Sequence, residues 1–165
     1  MNRTHGNYGS VIVLSVALTM LAGCMTSVPR PQADKAEFLN SPQVQALDRP
    51  FSEAVRAGDL LILSGQVGSD DTTGKVVPGG IGPESRQALR HVKSVLESNG
   101  ATLADVVKCS VFLADIAEWG DFNTIYREFF KKPYPARSAL GASGLALGAR
   151  VEIECIAYVP QAKRR

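Results

Sequence analysis

Arg137 and Glu152 are the two residues whose types and surroundings point most directly to chemistry. Arg137 lies in Tyr134-Pro135-Ala136-Arg137-Ser138, and Glu152 lies in Val151-Glu152-Ile153-Glu154-Cys155-Ile156-Ala157. A guanidinium grips a carboxylate through two parallel charge-assisted hydrogen bonds, which a lysine ammonium does not reproduce. A fixed carboxylate can steer or deprotonate a water. On neighbouring strands, the pair would hold a small organic acid and aim a water at it. Glu152 and Glu154 share one face of their strand, about 6.6 Å apart by strand rise, while Ile153 and Cys155 take the other.

Other catalytic groups are scarce. Beyond the first 24 residues His91 is the only histidine; beside Arg90 on a helix, it is expected to face water. No cluster of His, Cys, Asp and Glu has metal-ligand spacing, so no metal is expected. No serine stands in a nucleophile elbow or has a histidine base. Gly79-Gly80-Ile81-Gly82 lacks the Lys-Ser/Thr ending of a phosphate loop and reads as a turn. What remains is non-covalent chemistry by arginine and glutamate.

The elements that must position these residues follow from periodicity. Phe38-Leu39 opens a short strand that Asn40-Ser41-Pro42 ends. Phe51–Arg56 and Leu60–Val67 read as a hairpin through Ala57-Gly58-Asp59. The unbroken apolar run Leu60–Leu63 suggests burial on both faces. Gly68–Gly82 is loop. Pro83–Ser98 is the clearest helix, with Ala88, Leu89, Val92, Val95 and Leu96 at helical spacing and Asn99-Gly100 after it.

Val106–Leu113 is the next strand, with Val107, Cys109, Val111 and Leu113 on one face. Asp115 can cap a helix over Ile116–Phe130, whose stripe of Trp119, Phe122, Tyr126 and Phe129 is read as core. Pro133 and Pro135 stop it. Ala136–Ala142 and Arg150–Val159 are the last strands. The expected fold is an α+β domain with two helices on one face of a single sheet. The other face then keeps residues such as Val55, Ile62 and Val106 to hide, so self-association is expected.

The N-terminus reads as a leader. Met1–Ser10 is polar, Val11–Leu21 is mostly apolar, and Leu21-Ala22-Gly23-Cys24 closes the segment. The apolar run falls short of the roughly 20 residues a spanning helix needs, but it suits a secretory signal. The small residues before Cys24 resemble a bacterial lipobox, whose cysteine is lipidated and becomes the mature N-terminus. The competing reading is a buried N-terminal helix, which no amphipathic period or cap supports.

The expected boundaries are a signal peptide over 1–23, lipidated Cys24 with a flexible tether over 24–35, a domain over 36–160, and a basic tail over 161–165. Removing 23 residues from 165 leaves 142, and the net charge falls from +2 to +1 because only Arg3 is lost. Such a domain has no electrostatic footprint for nucleic acid. Met25 after the cysteine resembles lipoproteins of the outer membrane, so a periplasm-facing envelope location is expected. Cys109 and Cys155 remain on strands, where they either pair outside the cytoplasm or serve as small apolar residues.

Several segments occur in one order and at matching separations: Pro50-Phe51-Ser52-Glu53-Ala54-Val55, Leu63-Ser64-Gly65-Gln66-Val67, Val106-Val107-Lys108, Phe122-Asn123, Pro135-Ala136-Arg137-Ser138 and Val151-Glu152-Ile153-Glu154. Together they resemble the RidA (reactive intermediate/imine deaminase, YjgF-type, L-PSP) family over about Glu37–Tyr158. The resemblance implies a chorismate-mutase-like fold assembled as a homotrimer, with sites in clefts between subunits. It implies hydrolysis of 2-imino acids, made from enamines such as 2-aminoacrylate, to 2-keto acids and ammonia without a cofactor.

By position, Arg137 matches the family's carboxylate-gripping arginine and Glu152 the acid that positions or deprotonates water. Phe51, Ser64, Gly65 and Asn123 match the pocket lining. Departures from the family pattern are Phe51 for a frequent tyrosine, Glu53 for a glutamine, Gly141 for an acid and Ala146 for a proline; they imply a changed pocket wall. Two other readings stand beside the deaminase: a non-catalytic, membrane-tethered trimer that binds small carboxylates, and an endoribonuclease-type activity. The second would have to work without a basic stripe or base-stacking surface.

Overall fold

The computed structural model describes residues 35–163, which lie in one compact unit of the chain. Cys24, the leader and most of the tether fall outside these residues. Seven strands form one sheet: β1 (Glu37–Leu39), β2 (Ala54–Ala57), β3 (Leu60–Leu63), β4 (Gln66–Val67), β5 (Val106–Leu113), β6 (Ala136–Gly141) and β7 (Val151–Tyr158). Their order is β1-β2-β3-β7-β5-β6, with β4 also paired to β7. All pairs are antiparallel except β5 with β6.

Helices α2 (Ile81–Ser98) and α3 (Trp119–Phe129) are the long connections, β3/β4 to β5 and β5 to β6. A parallel pair needs such a crossover, and β7 slots between β3 and β5 as the last strand. Both helices pack on one sheet face. Ala88, Leu89, Val92 and Leu96 of α2, with Phe122, Ile125 and Tyr126 of α3, cover Leu61, Leu63, Cys109, Val111, Val151 and Ile153.

Element boundaries moved where local chemistry outweighed the pattern. Helix α2 begins before Pro83: Glu84 N donates to Gly80 O at 3.2 Å, and a proline in the first turn forfeits no helical bond. A short helix α1 (Pro42–Ala46) stands where Asn40-Ser41-Pro42 read only as a strand end. Ser41 caps it, accepting from Val44 N at 3.3 Å. Residues Ile116–Glu118 form a 3-10 turn before α3, with Asp115 accepting from Ala117 N at 2.9 Å.

Two face assignments are corrected. A register shift between Val106 and Lys108 turns Val106 into the core and leaves Val107 outside. The run Leu60–Leu63 is buried on one face only: Leu61 and Leu63 are covered, whereas Leu60 and Ile62 are not. The face away from the helices therefore presents Leu60, Ile62, Leu140 and Tyr158, each between 39% and 50% exposed. Trp119 leaves the aromatic core stripe and is 47% exposed, while Phe130 is buried in addition to Phe122 and Tyr126.

Cys109 and Cys155 stand opposite each other on β5 and β7 and are joined by a disulfide that is almost fully buried. The bond closes a separation of 46 residues. Replacing both cysteines by alanine is expected to cost about 2–4 kcal/mol, read as a lower urea midpoint with a steeper slope, because the unfolded chain without its cross-link exposes more surface.

Candidate functional site

Arg137 is built into the helix side of the sheet. It pairs in register with Cys109 of β5, so its side chain shares the face covered by α3. There its guanidinium lies 4.6 Å from the Tyr126 ring centroid and 5.6 Å from that of Phe122. Nη2 donates to Asn123 Oδ1 at 2.5 Å. Ring faces and an amide oxygen thus fix the fork while leaving other N–H groups for a ligand.

Burial lowers the affinity of Arg137 for its proton from the ordinary arginine value, and nearby Arg127 adds to this against the pull of Tyr126. Burial also pushes the Tyr126 phenol up to about 12, against Arg137. At neutral pH the contact is therefore a cation on a neutral ring. Beside it opens a cleft of about 310 Å³ lined by Ile116, Trp119, Arg137 and Ala139. One cation among apolar walls suits an organic anion.

Glu152 occupies the opposite side. It pairs with Phe112 of β5 and Val67 of β4, and it is three residues from Cys155, an odd step that turns it away from the helices. Its carboxylate lies against Gly65. A Cβ at that position would stand 1.9 Å from Oε1, so only glycine admits this approach.

The Ser64-Gly65 segment is itself a bulge. From Ile62 to Gln66 the chain takes one more residue than β7 does from Ile156 to Ile153, and such an extra residue bends a strand and re-aims its neighbours. Ser64 Oγ is spent locally, donating to Ser52 O at 2.6 Å. Phe51 and Gly65 line a second cleft of about 70 Å³ together with Arg49, Glu53, Gln66 and His91. The start of β7 is tied down by carboxylates: Glu84 Oε2 accepts from Arg150 N at 2.7 Å, and Glu118 receives the Arg150 guanidinium at 2.5–2.9 Å.

The expectation that Arg137 and Glu152 sit on neighbouring strands is corrected: β5 stands between β6 and β7. Two strand spacings and a three-residue offset separate their backbones by roughly 14 Å, on opposite faces. Arg137 and Asn123 form one group; Glu152, Gly65 and the cleft with Phe51 form another. No single protomer can close both on one small ligand.

The remaining candidates have local roles in the protomer. Glu53 Oε2 accepts from Ser41 N at 2.8 Å, steadying the entry to α1. Gly141 ends β6 against Ile116, and Ala146 opens a 3-10 turn in which Leu147 takes a φ of 59°. His91, expected to face water, is instead only 16% exposed in its side chain and wedged between α2 and the chain after β4. Helical spacing alone places it beside the buried Val92 and gives no sign of that wedge. Among the described residues no group of three or more His, Cys, Asp or Glu could hold a metal, and no helix is long and apolar enough to cross a membrane.

Residues 42–159 match the family model described as endoribonuclease L-PSP. A 2-iminobutanoate/2-iminopropanoate deaminase of Dermatophagoides farinae is 41% identical over 110 residues, covering 67% of this chain and 86% of that protein. The human protein of the same name is 40% identical over 108 residues, covering 66% and 79%. Among solved structures, YyfA of Yersinia pestis, from the conserved Rid family, superposes with a TM-score of 0.71 at 33% identity, over 76% of this chain and all of its own. The ordered motifs, the mixed sheet with its crossover helices and these matches agree: the chain belongs to the endoribonuclease L-PSP, or RidA, family.

Proposed function

We propose that this protein hydrolyses reactive 2-imino acids to 2-keto acids and ammonia, at sites completed between copies of the chain in a homotrimer. The carrying observation is that Arg137 and Glu152 lie on opposite sheet faces about two strands apart. Each protomer offers one half of a site twice over, and a neighbour must supply the other. The half-exposed apolar residues Leu60, Ile62, Leu140 and Tyr158 on the open sheet face give that neighbour a surface to bury. The relatives named as 2-iminobutanoate/2-iminopropanoate deaminases support the reaction class.

The chemistry asks little of the protein. Arg137, steadied by Asn123, holds the substrate carboxylate in its fork. Glu152 takes a proton from a water that adds across the C=N bond. Glu152 returns that proton to the nitrogen of the resulting carbinolamine and then takes the hydroxyl proton as the C–N bond breaks, so ammonia leaves and a C=O remains. The imine carbon is already electrophilic, so positioning carries most of the effect and no cofactor is needed. Proton transfer by Glu152 adds about 10²–10⁴-fold.

Purified protein given imines generated in place by an amino-acid oxidase tests this reading. Release of ammonia and keto acid faster than in buffer supports it. Saturable keto-acid binding without ammonia release would favour a carboxylate-binding trimer instead. RNA cleavage that tracks protein purity through successive columns would favour the endoribonuclease reading.

The proposal extends to location: a signal peptide over 1–23, lipidation at Cys24 and attachment to the envelope facing the periplasm, through a tether over 24–35. The buried Cys109–Cys155 disulfide supports an oxidising compartment. Three lipidated chains in a trimer would bind a membrane far more firmly than one. Cys24→Ser is expected to move the protein from the membrane pellet to the soluble fraction. Retention of that variant in the pellet would remove lipidation from the account.

A further inference from the structure

We infer that His91 is a positioning residue for the Glu152 half of the site, acting as a strut from α2 to strand β4. The inference rests on the deaminase reading for its kinetic consequence, but not for its structural one. Strand β4 is only two residues long, and its sheet pairing is to β7, at Ile153 and Glu152. It carries Gly65, the residue against which the Glu152 carboxylate rests, one position upstream. A support this short, following a bulge, needs an anchor on its other side.

His91 supplies that anchor. Its Nδ1 stands 3.0 Å from Val67 O, and a carbonyl only accepts, so Nδ1 donates. Val67 O also receives Ser69 N at 2.9 Å. The other ring nitrogen, Nε2, stands 2.9 Å from both Asp71 Oδ1 and Gln87 Nε2. In the neutral ring Nε2 accepts from Gln87, and in the protonated ring it donates to Asp71. The bond to Val67 survives in either state, so the strut does not depend on protonation.

A second contact holds the same segment to α2. Gly68 lies so close to the helix that a Cβ there would stand 2.3 Å from Glu84 O. The chain after β4 thus runs against the helix backbone, with His91 as the polar pin. Through Val67, which faces Glu152 in register, the pin sets where the carboxylate and its glycine rest sit. Small displacements of a base cost turnover rather than ground-state affinity, because Arg137, on the other half-site, holds the substrate carboxylate.

Three full-chain variants test the strut. Asparagine places an amide Nδ2 close to where the ring Nδ1 stands, whereas glutamine reaches only toward the Nε2 position, and leucine keeps bulk alone. His91→Leu and His91→Gln are expected to lower kcat about ten- to hundredfold with KM within about twofold, while His91→Asn recovers most of the loss. Backbone amides over residues 64–69 should exchange hydrogen faster in His91→Leu and near the wild-type rate in His91→Asn, with the centre of α2 still protected.

Unchanged exchange over residues 64–69 in His91→Leu would overturn the inference, as would equal kcat losses in the asparagine and leucine variants. A loss expressed in KM alone would overturn it too. A wild type that turns over no imine defeats the deaminase reading, and the exchange pattern then decides the strut by itself.

Discussion

Arg137→Lys is expected to lower kcat/KM for imine hydrolysis by roughly 10- to 150-fold, the equivalent of losing one charge-assisted hydrogen bond at about 1.5–3 kcal/mol. The ammonium keeps the charge but not the fork. It cannot donate to Asn123 Oδ1 and still present two parallel N–H groups to a carboxylate. It also gives up the planar stacking on Tyr126 and Phe122. The fold should be spared, because Arg137 is only half-buried and β6 pairs through its backbone. Matching circular dichroism and sedimentation with collapsed turnover would confirm the role. Near-normal turnover would remove Arg137 from the mechanism.

Glu152→Gln should cut kcat by about 10²–10⁴-fold, the usual worth of general-base help, with little change in keto-acid binding. The amide is nearly the same size, so the tight rest on Gly65 is kept while proton acceptance is lost. The two variants also make a sharper test together. In a trimer with sites between subunits, mixing Arg137→Lys and Glu152→Gln chains rebuilds about a quarter of the sites with both native residues. Activity should return on co-refolding, although each variant alone stays weak. Mixed trimers no more active than their parents would contradict shared sites.

Much of the architecture could be read from periodicity. The α2 stripe of Ala88, Leu89, Val92, Val95 and Leu96 is buried as its spacing requires. The strands holding Cys109 and Ile153 alternate cleanly apart from the slip at Val107. Periodicity failed where one residue of register or one cap decided the outcome. The shift beside Val107 leaves no mark in an apolar run, and helix α1 depends on Ser41 and on Glu53 reaching back twelve residues.

The site was legible in part. Arg137 from Pro-Ala-Arg-Ser lines a cleft and is held by Asn123, and Glu152 from Val-Glu-Ile-Glu rests against Gly65, but their strands were expected to touch. Strand order is a long-range property: β7 enters between β3 and β5 only after the rest of the sheet exists in sequence. His91 was read as a surface residue because helical spacing says which side of α2 it occupies, not that the loop carrying Asp71 returns over it. Gly65 entered only as pocket lining implied by the family resemblance, although its residue type carried a further signal. A glycine inside an apolar strand signals close approach of another group, and here that group is Glu152.

The bond between Cys109 and Cys155 bears on how the protein should be made. Its sulfurs sit beneath two helices, so they are far more accessible while the sheet is still assembling, and an oxidant added to finished protein would reach them slowly. Synthesis in a reducing cell interior would trap a thiol form of the same sequence. Thermal and kinetic properties measured on that material would describe a different covalent molecule, and secretion of the recombinant chain would decide which of the two is in the tube.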